Sequence, residues 1–251
     1  MIKHLEKIAP TSYAEHWDNV GLLVGEDTKE VKKVMIALDP STEVIKQAIE
    51  EQCDMLITHH PLIFSPMKRI IGTDFIGKRI LTLMNHSIAY YAMHTNMDIA
   101  IMADESARMI GLQETKALEP MKSDSDLIGI GRVGTITATS LYDLAVEVKK
   151  QFNLNDVRVV GKLDQRIEKV AISTGSGEDF IANAIEMGAD VLITGDIRHH
   201  KALDAMEENL CIIDAGHYGT ERFMVEWLKT YLQDTKLTIV AAKEQSPFKI
   251  V

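Results

Sequence analysis

The sequence KVMIALDPSTEVIKQAIEEQCDMLIT at residues 33–58 is matched without a gap by KVAISTGSGEDFIANAIEMGADVLIT at residues 169–194. The two copies lie a constant 136 positions apart and are identical at eleven of 26 positions. Each copy has the pattern of a strand, a helix and a second strand that ends in Leu-Ile-Thr. The chain is therefore expected to consist of two related α/β halves that arose by internal duplication.

Strand and helix patterns alternate along the rest of the chain, and the strands are rich in Val, Ile and Leu. This composition predicts mostly parallel sheets flanked by helices in a three-layer α/β fold. A polar, proline-containing stretch at residues 119–126 indicates the boundary between the halves. The predicted halves are residues 1–122 and 123–251, and the final helix and strand are candidates for packing back on the first half.

The composition argues against several classes of partner. The net charge of −10 makes nucleic-acid binding an unfavoured function, because such binding needs a basic surface. No apolar run reaches the roughly 18 residues of a membrane span. Cys53 and Cys211 form no Cys-x-x-Cys motif and are predicted to be buried. Together with an N-terminus that lacks an apolar signal segment, these features predict a cytoplasmic protein.

Histidines and acidic residues follow four of the predicted apolar strands, at the edge where open α/β sheets bind ligands. The four sets are His59 with His60, His94 with Asp98, Asp196 with His199 and His200, and His217 with Glu221. Each set alone has an ordinary interpretation: solvated histidines, a helix N-cap aspartate, or an acid in a first helical turn. Because the pattern recurs at four strand ends, we favour a metal site.

The ligand types restrict the metal and its chemistry. Imidazole and carboxylate suit divalent zinc, iron or manganese, and no cysteine lies near enough in the pattern for a structural thiolate site. Adjacent His59 and His60 would point to opposite sides of an extended segment, and His217 and Glu221 would share one helix face. The sequence offers more candidate ligands than one catalytic ion requires. They predict two ions and a bridging carboxylate, which together would polarise a substrate oxygen and activate water.

Two other motifs have weaker functional interpretations. Residues 129–134 match the dinucleotide spacing G-x-G-x-x-G, but the β-prone TITAT follows where a helix is required. We predict a glycine-rich strand that twists or admits another backbone, with Arg132 as a weak candidate for an anionic substrate. Trp17-Asp18-Asn19 is predicted to fix a turn in preference to lining a pocket.

Five ordered segments, WDNVGLLVG, ITHHPLIF, HTNMD, ITGDIRHH and DAGHYGTE, resemble those of a known family. The family is that of GTP cyclohydrolase I type 2 homologues, also described as Ngg1-interacting-factor-three-like or dinuclear-metal-centre proteins. The resemblance spans essentially the whole chain. It corresponds to the short form, which lacks the domain that longer members insert between the halves.

The resemblance implies a set of site residues. The metal ligands would be His59, His60, Asp98, His217 and Glu221. His60 and Asp98 would bind one ion, His59 and His217 the other, and Glu221 would bridge them. Around these ligands, as supporting groups or proton carriers, would lie His94, Asp196, His199 and His200, and of these His94 and His200 are the predicted catalytic residues. The resemblance further implies ring-shaped homohexamers whose metal sites face an internal cavity.

Two functions remain open at this point. The first is a metal-dependent hydrolase that acts on a nucleotide-like or phosphorylated small molecule, as the family name implies for the guanine ring of GTP. The second is a non-enzymatic, ring-forming adaptor or regulatory protein whose metal ions stabilise the fold. A regulatory nucleotide-binding module is disfavoured, because the sequence has neither a P-loop nor a dinucleotide fingerprint in its required context.

Overall fold

The computed structural model describes residues 1–121 and 126–250, which form two compact units. The first unit contains Met1–Met97 together with the chain from Arg222 onwards, and the second is Asp98–Glu221. Each unit contains one sheet with helices packed against it, so the predicted α/β class is confirmed. The boundary predicted between residues 122 and 123 lies outside the described residues.

The first unit contains a five-stranded sheet in the order β1-β4-β3-β2-β11. The strands are β1 (Gly21–Val24), β2 (Lys33–Ala37), β3 (Met55–Thr58), β4 (Ala89–Ala92) and β11 (Thr238–Ala241). The helices are α1 (Ile2–Ile8), a 3-10 turn (Thr11–Tyr13), α2 (Thr42–Glu50), α3 (Phe75–Asn85), α4 (Thr95–Met97) and α10 (Phe223–Leu232). The strand pairs are parallel except for the β1–β4 pair.

The second unit contains a six-stranded sheet in the order β5-β6-β8-β9-β10-β7. The strands are β5 (Gln113–Pro120), β6 (Gly129–Ser140), β7 (Arg158–Val160), β8 (Arg166–Ser176), β9 (Val191–Gly195) and β10 (Cys211–Asp214). The helices are a π-helical turn (Asp98–Met102), α5 (Ala103–Met109), α6 (Leu141–Gln151), a 3-10 turn (Glu178–Phe180), α7 (Ile181–Glu186), α8 (His199–Glu207) and α9 (His217–Glu221). Parallel pairing is confined to the central β8-β9-β10 strands, so this sheet is mixed.

The sequence repeat is preserved as repeated strand pairing. Residues 34–36 of β2 pair in parallel with residues 55–57 of β3, and residues 170–172 of β8 pair with residues 191–193 of β9. These positions differ by the same 136 residues as the sequences. Ser41 caps the first repeat helix: its side chain accepts a hydrogen bond from the Val44 backbone N–H. The repeat therefore encodes the same strand-helix-strand unit twice.

An aspartate fixes the start of each repeat in the same way. Asp54 and Asp190 occupy equivalent positions, and each carboxylate accepts hydrogen bonds from two successive backbone N–H groups. The backbone N–H groups of Lys32 and Lys33 donate to Asp54, and those of Glu168 and Lys169 donate to Asp190. The distances from nitrogen to carboxylate oxygen are 2.8–2.9 Å. Burial raises the pKa of Asp54, but these N–H groups and the charges of Lys29 and Lys32 together lower it more, so its pKa lies below the ordinary value. Each carboxylate therefore ties a helix–strand loop to the start of a strand.

We expect Asp54→Ala and Asp190→Ala to destabilise the protein by similar amounts. Each substitution removes a charged acceptor from two backbone donors, which costs about 1–3 kcal/mol. Urea denaturation would measure the free energy of unfolding, with the exposed Asp27→Ala as the matched control. An unchanged midpoint for either variant would show that its carboxylate contributes nothing to folding.

The glycine-rich segment at residues 129–134 is a strand, as predicted. A Cβ atom at Gly129 would lie 2.0 Å from the Glu119 carbonyl oxygen, and one at Gly131 would lie 2.6 Å from the Ile172 oxygen. The glycines therefore allow the neighbouring strands to approach. The Arg132 side chain is 3% exposed and donates to Asp104 at 2.6 Å and to two glycine carbonyl oxygens. Its described bonds are thus made inside the second unit.

Other parts of the structure differ from the sequence prediction. The sequence predicts one long helix from His217 to about Leu232, but the structure divides this segment at Arg222 into α9 and α10. The physical reason is packing: α9 lies on β8 and β9, whereas α10 lies on β2 and β11 of the first unit.

Cys53 and Cys211 are buried, as predicted. None of the helices in the described ranges is both long and apolar enough to cross a bilayer.

Candidate metal centre

Three histidines meet at the carboxyl edge of the first sheet. β3 and β4 are parallel neighbours; His59 and His60 follow β3, and His94 follows β4 by two residues. Their candidate ligand nitrogens lie within 4.8 Å of one another. His59 is fully buried, whereas the side chains of His60 and His94 are 22% and 16% exposed. The histidines that follow these two strands therefore lie close together in this unit, as the sequence predicts.

In all three imidazoles Nδ1 lies within hydrogen-bond distance of an oxygen atom. Nδ1 of His59 lies 2.8 Å from the Met93 carbonyl oxygen, which can only accept. Nδ1 of His60 lies 2.8 Å from Asp39 Oδ1, and Nδ1 of His94 lies 2.9 Å from Asp18 Oδ1. Each Nδ1 therefore carries the hydrogen and donates it. In a neutral ring Nε2 is then left with a lone pair, the form in which histidine binds a metal.

Asp18 is the most extensively bonded of these supporting acids. Its side chain has no exposed surface and accepts hydrogen bonds from His94, from the Asn19 N–H, and from both the N–H and the hydroxyl of Thr95. Burial raises the pKa of Asp18, but the hydrogen bonds and charge of His94 and the bonds from Thr95 outweigh it and lower the pKa to about 2. Asp18 does fix the predicted turn, and it also orients His94.

A buried tyrosine fixes the chain that carries His60. The Tyr90 hydroxyl lies in β4 and donates to the His60 carbonyl oxygen at 2.8 Å. It also accepts from the Leu62 N–H at 2.8 Å and lies 2.6 Å from the Thr58 hydroxyl. Burial raises the pKa of Tyr90, so the hydroxyl stays neutral and able to donate. The turn after β3 is therefore rigidly held behind the imidazoles.

The second unit contains a histidine–glutamate pair on α9. His217 Nε2 lies 3.1 Å from Glu221 Oε2, which confirms that the i, i+4 spacing places both on one face. His217 Nδ1 lies 2.7 Å from Asp196 Oδ2. Both ring nitrogens thus face carboxylate oxygens. Such an arrangement suits either a protonated ring or a ring whose Nε2 proton is replaced by a cation.

Glycine leaves the space that the Glu221 carboxylate occupies. Gly175 is the next-to-last residue of β8 and has φ of +67°; a Cβ there would lie 2.1 Å from Glu221 Oε1 and 3.5 Å from His217 Nε2. The Gly175 N–H donates to the Thr220 hydroxyl at 2.9 Å. Glu221 itself is only 3% exposed. The β8 backbone therefore forms a close-fitting wall beside this acid.

Asp98 lies at the start of the π-helical turn that precedes α5. Its carboxylate is within 4.8 Å of that of Glu221, and Thr174 Oγ1 lies 3.5 Å from Asp98 Oδ1. Single π-helical turns are rare and often occur at functional sites. The second unit thus places Asp98 and His217, two of the predicted ligands, each close to Glu221, a third.

Asp196 and its neighbours have different surroundings. Asp196 follows β9 in the left-handed region, with φ of +58°, a backbone conformation that non-glycine residues rarely adopt outside constrained sites. This conformation accompanies its bond to His217. His199 and His200 are exposed at the start of α8, with ring centroids 5.3 Å apart. Their predicted role as proton carriers stays a prediction.

Sequence reasoning missed two supporting groups and underestimated a third. Asp39 orients His60, and its position just after β2 could have suggested that role. The Met93 carbonyl oxygen cannot be inferred from the sequence, because any residue has one. Asp18 is far from His94 along the chain, and only the folded structure shows their contact.

Comparison with known proteins identifies the family of this chain. A model of the Duf34/NIF3 (NGG1p interacting factor 3) family matches residues 1–247. The chain belongs to the Duf34/NIF3 family. The family resemblance recognised in the sequence is therefore confirmed.

Named Duf34/NIF3 relatives cover most of the chain. A Clostridium acetobutylicum protein named GTP cyclohydrolase 1 type 2 homolog is 37% identical over 220 residues, which are 86% of this chain and 82% of the relative. A Clostridium perfringens protein of the same name is 34% identical over 258 residues, covering 100% and 98%. The crystal structure of a Bacillus cereus protein related to NIF3 has a TM-score of 0.89 at 27% identity, covering 100% and 98%.

The donors in this Duf34/NIF3 protein fit a divalent metal ion. Four imidazoles have Nδ1 bonded to an oxygen, which prepares Nε2 for coordination. Carboxylates of Asp98 and Glu221 supply the oxygen ligands that zinc, iron and manganese accept. Each unit therefore contributes nitrogen or oxygen donors of the kinds that bind a divalent metal ion.

Proposed function

We propose that this protein binds two divalent metal ions through His59, His60, Asp98, His217 and Glu221, and that it is a metal-dependent hydrolase. The proposed substrate is a nucleotide-like or phosphorylated small molecule. One observation carries the proposal: each histidine of this set has Nδ1 bonded to an oxygen, as metal-binding histidines do. The names of the relatives, GTP cyclohydrolase 1 type 2 homologs, support the substrate class.

In this proposal the five ligands would be shared between the two ions. Glu221 would serve both, since an ionised carboxylate has two oxygens that can each act as a ligand. Zinc, iron and manganese all suit such nitrogen and oxygen donors. When bound, the ions would supply Lewis-acid polarisation of a substrate oxygen and activation of water.

The surrounding residues orient the ligands and handle protons. Asp39, Asp196 and the Met93 carbonyl oxygen hold three imidazoles through Nδ1. His94 receives a proton at Nε2, and Asp18, which is ionised near neutral pH, stabilises the imidazolium that forms. His200, exposed at the start of α8, exchanges protons with solvent.

Turnover by metal-loaded protein tests this function. GTP and a panel of phosphoesters would be incubated with protein loaded with zinc, iron or manganese, and with the same protein after chelation. We expect hydrolysis only in the loaded samples. Glu221→Gln should weaken metal binding at least about tenfold and lower turnover with it, because it replaces a charged ligand by a neutral amide. Equal activity of the chelated protein would contradict the proposal.

The proton carriers give a separate prediction. We expect His94→Ala and His200→Ala to lower the hydrolytic rate by about 10²-fold or more while the bound metal per chain stays unchanged, because general acid–base groups contribute rate and not metal affinity. Metal analysis and steady-state kinetics on the same samples would measure both quantities. Exposed His86→Ala is the matched control. Full activity of either variant would remove that histidine from the proposal.

The same samples test the alternative function. A metal-binding adaptor would lose thermal stability on chelation yet hydrolyse none of the panel. Light scattering of the loaded protein would test the predicted hexamer, and cell fractionation would test the predicted cytoplasmic location. A stable protein with no bound metal and no turnover would contradict both functions.

A further inference from the structure

Two aromatic side chains lie next to the three imidazoles of the first unit and extend towards solvent. Trp17 is 48% exposed and Phe64 is 55% exposed, and their ring centroids lie 5.8 Å apart with a 51° tilt. The Trp17 ring also makes an edge contact with His94 at 6.1 Å. His94 in turn contacts the rings of His59 and His60 at 5.2 and 5.7 Å. A solvent-facing aromatic wall therefore stands directly beside the imidazoles.

The loops that carry these aromatic rings are bonded to each other and to the sheet. Asn19 Nδ2 donates to the Ile63 carbonyl oxygen at 2.6 Å, which joins the Trp17 loop to the Phe64 loop. Asp18 bonds His94 and Thr95, and the Glu15 N–H donates to the Thr95 hydroxyl at 2.9 Å. Because both loops are held, little conformational entropy is lost when a ligand contacts the rings. Such preorganisation favours binding.

The size and shape of this wall suit one planar ring. Tilted aromatic rings offer both a face and an edge, the two geometries in which aromatic groups prefer to pack. A Trp and a Phe bury about 150–250 Å² each, far less than the roughly 1,200–2,000 Å² of a stable protein interface. The wall is therefore large enough for a small aromatic ligand and too small on its own for a second copy of the chain.

We propose that Trp17 and Phe64 form a stacking site for the planar heteroaromatic ring of a small-molecule substrate, of the purine nucleoside class. This proposal rests on the proposed function, because a ring stacked there would place its substituents beside His94, which contacts the proposed ligands His59 and His60. Stacking on aromatic side chains supplies affinity without positive charge. This matters for a chain whose net charge is −10.

Tryptophan fluorescence provides the test. The chain has two tryptophans, and Trp227→Phe leaves Trp17 as the single one. This variant, loaded with Zn²⁺, which has no redox chemistry, would be titrated with guanosine and separately with ribose 5-phosphate. We expect saturable quenching by guanosine and none by ribose 5-phosphate. In the same background Phe64→Ala should raise the Kd for guanosine about 5- to 100-fold, whereas Phe248→Ala, an exposed phenylalanine of the same unit, should not change it.

Calorimetry with Trp17→Ala in the otherwise natural chain should show a similar loss of guanosine affinity. The proposal is overturned if Phe64→Ala binds guanosine as tightly as its parent. It is also overturned if Trp17→Ala changes the oligomeric state in light scattering, since a second copy would then cover the rings. Guanosine binding without turnover of any substrate leaves the stacking site standing and contradicts the hydrolase. Turnover of a phosphoester without guanosine binding supports the hydrolase and contradicts the stacking site.

Discussion

Replacing Gly175 with alanine is expected to reduce metal affinity at least about 100-fold while the protein remains folded. The added Cβ would lie 2.1 Å from Glu221 Oε1 and 3.1 Å from its Cδ. The clashing atoms belong to the end of a flexible side chain, so the carboxylate moves and the β8 backbone stays in place. Because Glu221 is the proposed bridging ligand, its displacement weakens both ion sites. Metal titration of chelated and reloaded protein would measure the loss.

Gly111→Ala is the matched control for this substitution. Gly111 has φ of +75°, close to the +67° of Gly175, but a Cβ at Gly111 would have no atom within 4 Å. Both variants carry the backbone strain of alanine in the left-handed region, about 1–2 kcal/mol. Only Gly175→Ala adds the clash with Glu221. Normal metal content in Gly175→Ala, or equal losses in both variants, would contradict the role assigned to this carboxylate.

Asp18→Asn is expected to lower the free energy of unfolding by about 2 kcal/mol at pH 7, which corresponds to the fall in the pKa of Asp18 from its ordinary 3.8 to about 2. An asparagine side chain has no charge for His94 Nδ1–H and places an N–H group among donors. Urea denaturation of metal-free protein would measure the difference, with the exposed Asp27→Asn as the control.

The pH dependence of this difference has a defined sign. The pKa of Asp18 is lower in the folded protein than in the unfolded chain, so its stabilisation is complete above about pH 4. It is lost as the pH falls from 3.8 towards 2, because over this window the unfolded chain binds a proton at Asp18 that the folded protein does not bind. Wild-type and Asp18→Asn stabilities should therefore converge over this window. A constant difference between pH 7 and pH 3 would contradict the ionised hydrogen-bonded state of Asp18.

Elements with strong local patterns could be predicted from the sequence. The repeated segments at residues 33–58 and 169–194 form the predicted strands and helices, because apolar strands and amphipathic helices have different periodicities. β5 and β7 were missed. β5 is largely exposed and β7 has three residues at the edge of its sheet, so neither has the apolar pattern of a buried strand. Their pairing depends on long-range contacts that no local window contains.

Some contacts of the candidate site could likewise be predicted from the spacing of residues in regular elements. The spacing of His217 and Glu221 predicts their contact, since four residues are about one helical turn. The gathering of His59, His60 and His94 follows from parallel strands that end at one sheet edge. These relations depend only on the geometry of regular elements.

The sequence by itself determined the duplicated α/β units, the strand ends that carry polar residues, and the residue types that suit divalent ions. Only the tertiary structure decided which atom of each imidazole is bonded to a neighbouring oxygen. Asp18 reaches His94 across 76 positions, Asp39 reaches His60 across 21, and the bare backbone of Gly175 leaves space for Glu221. Hydrogen bonds and steric contacts of this kind depend on atomic separations that regular periodicity does not encode, so they exist only once the chain has folded.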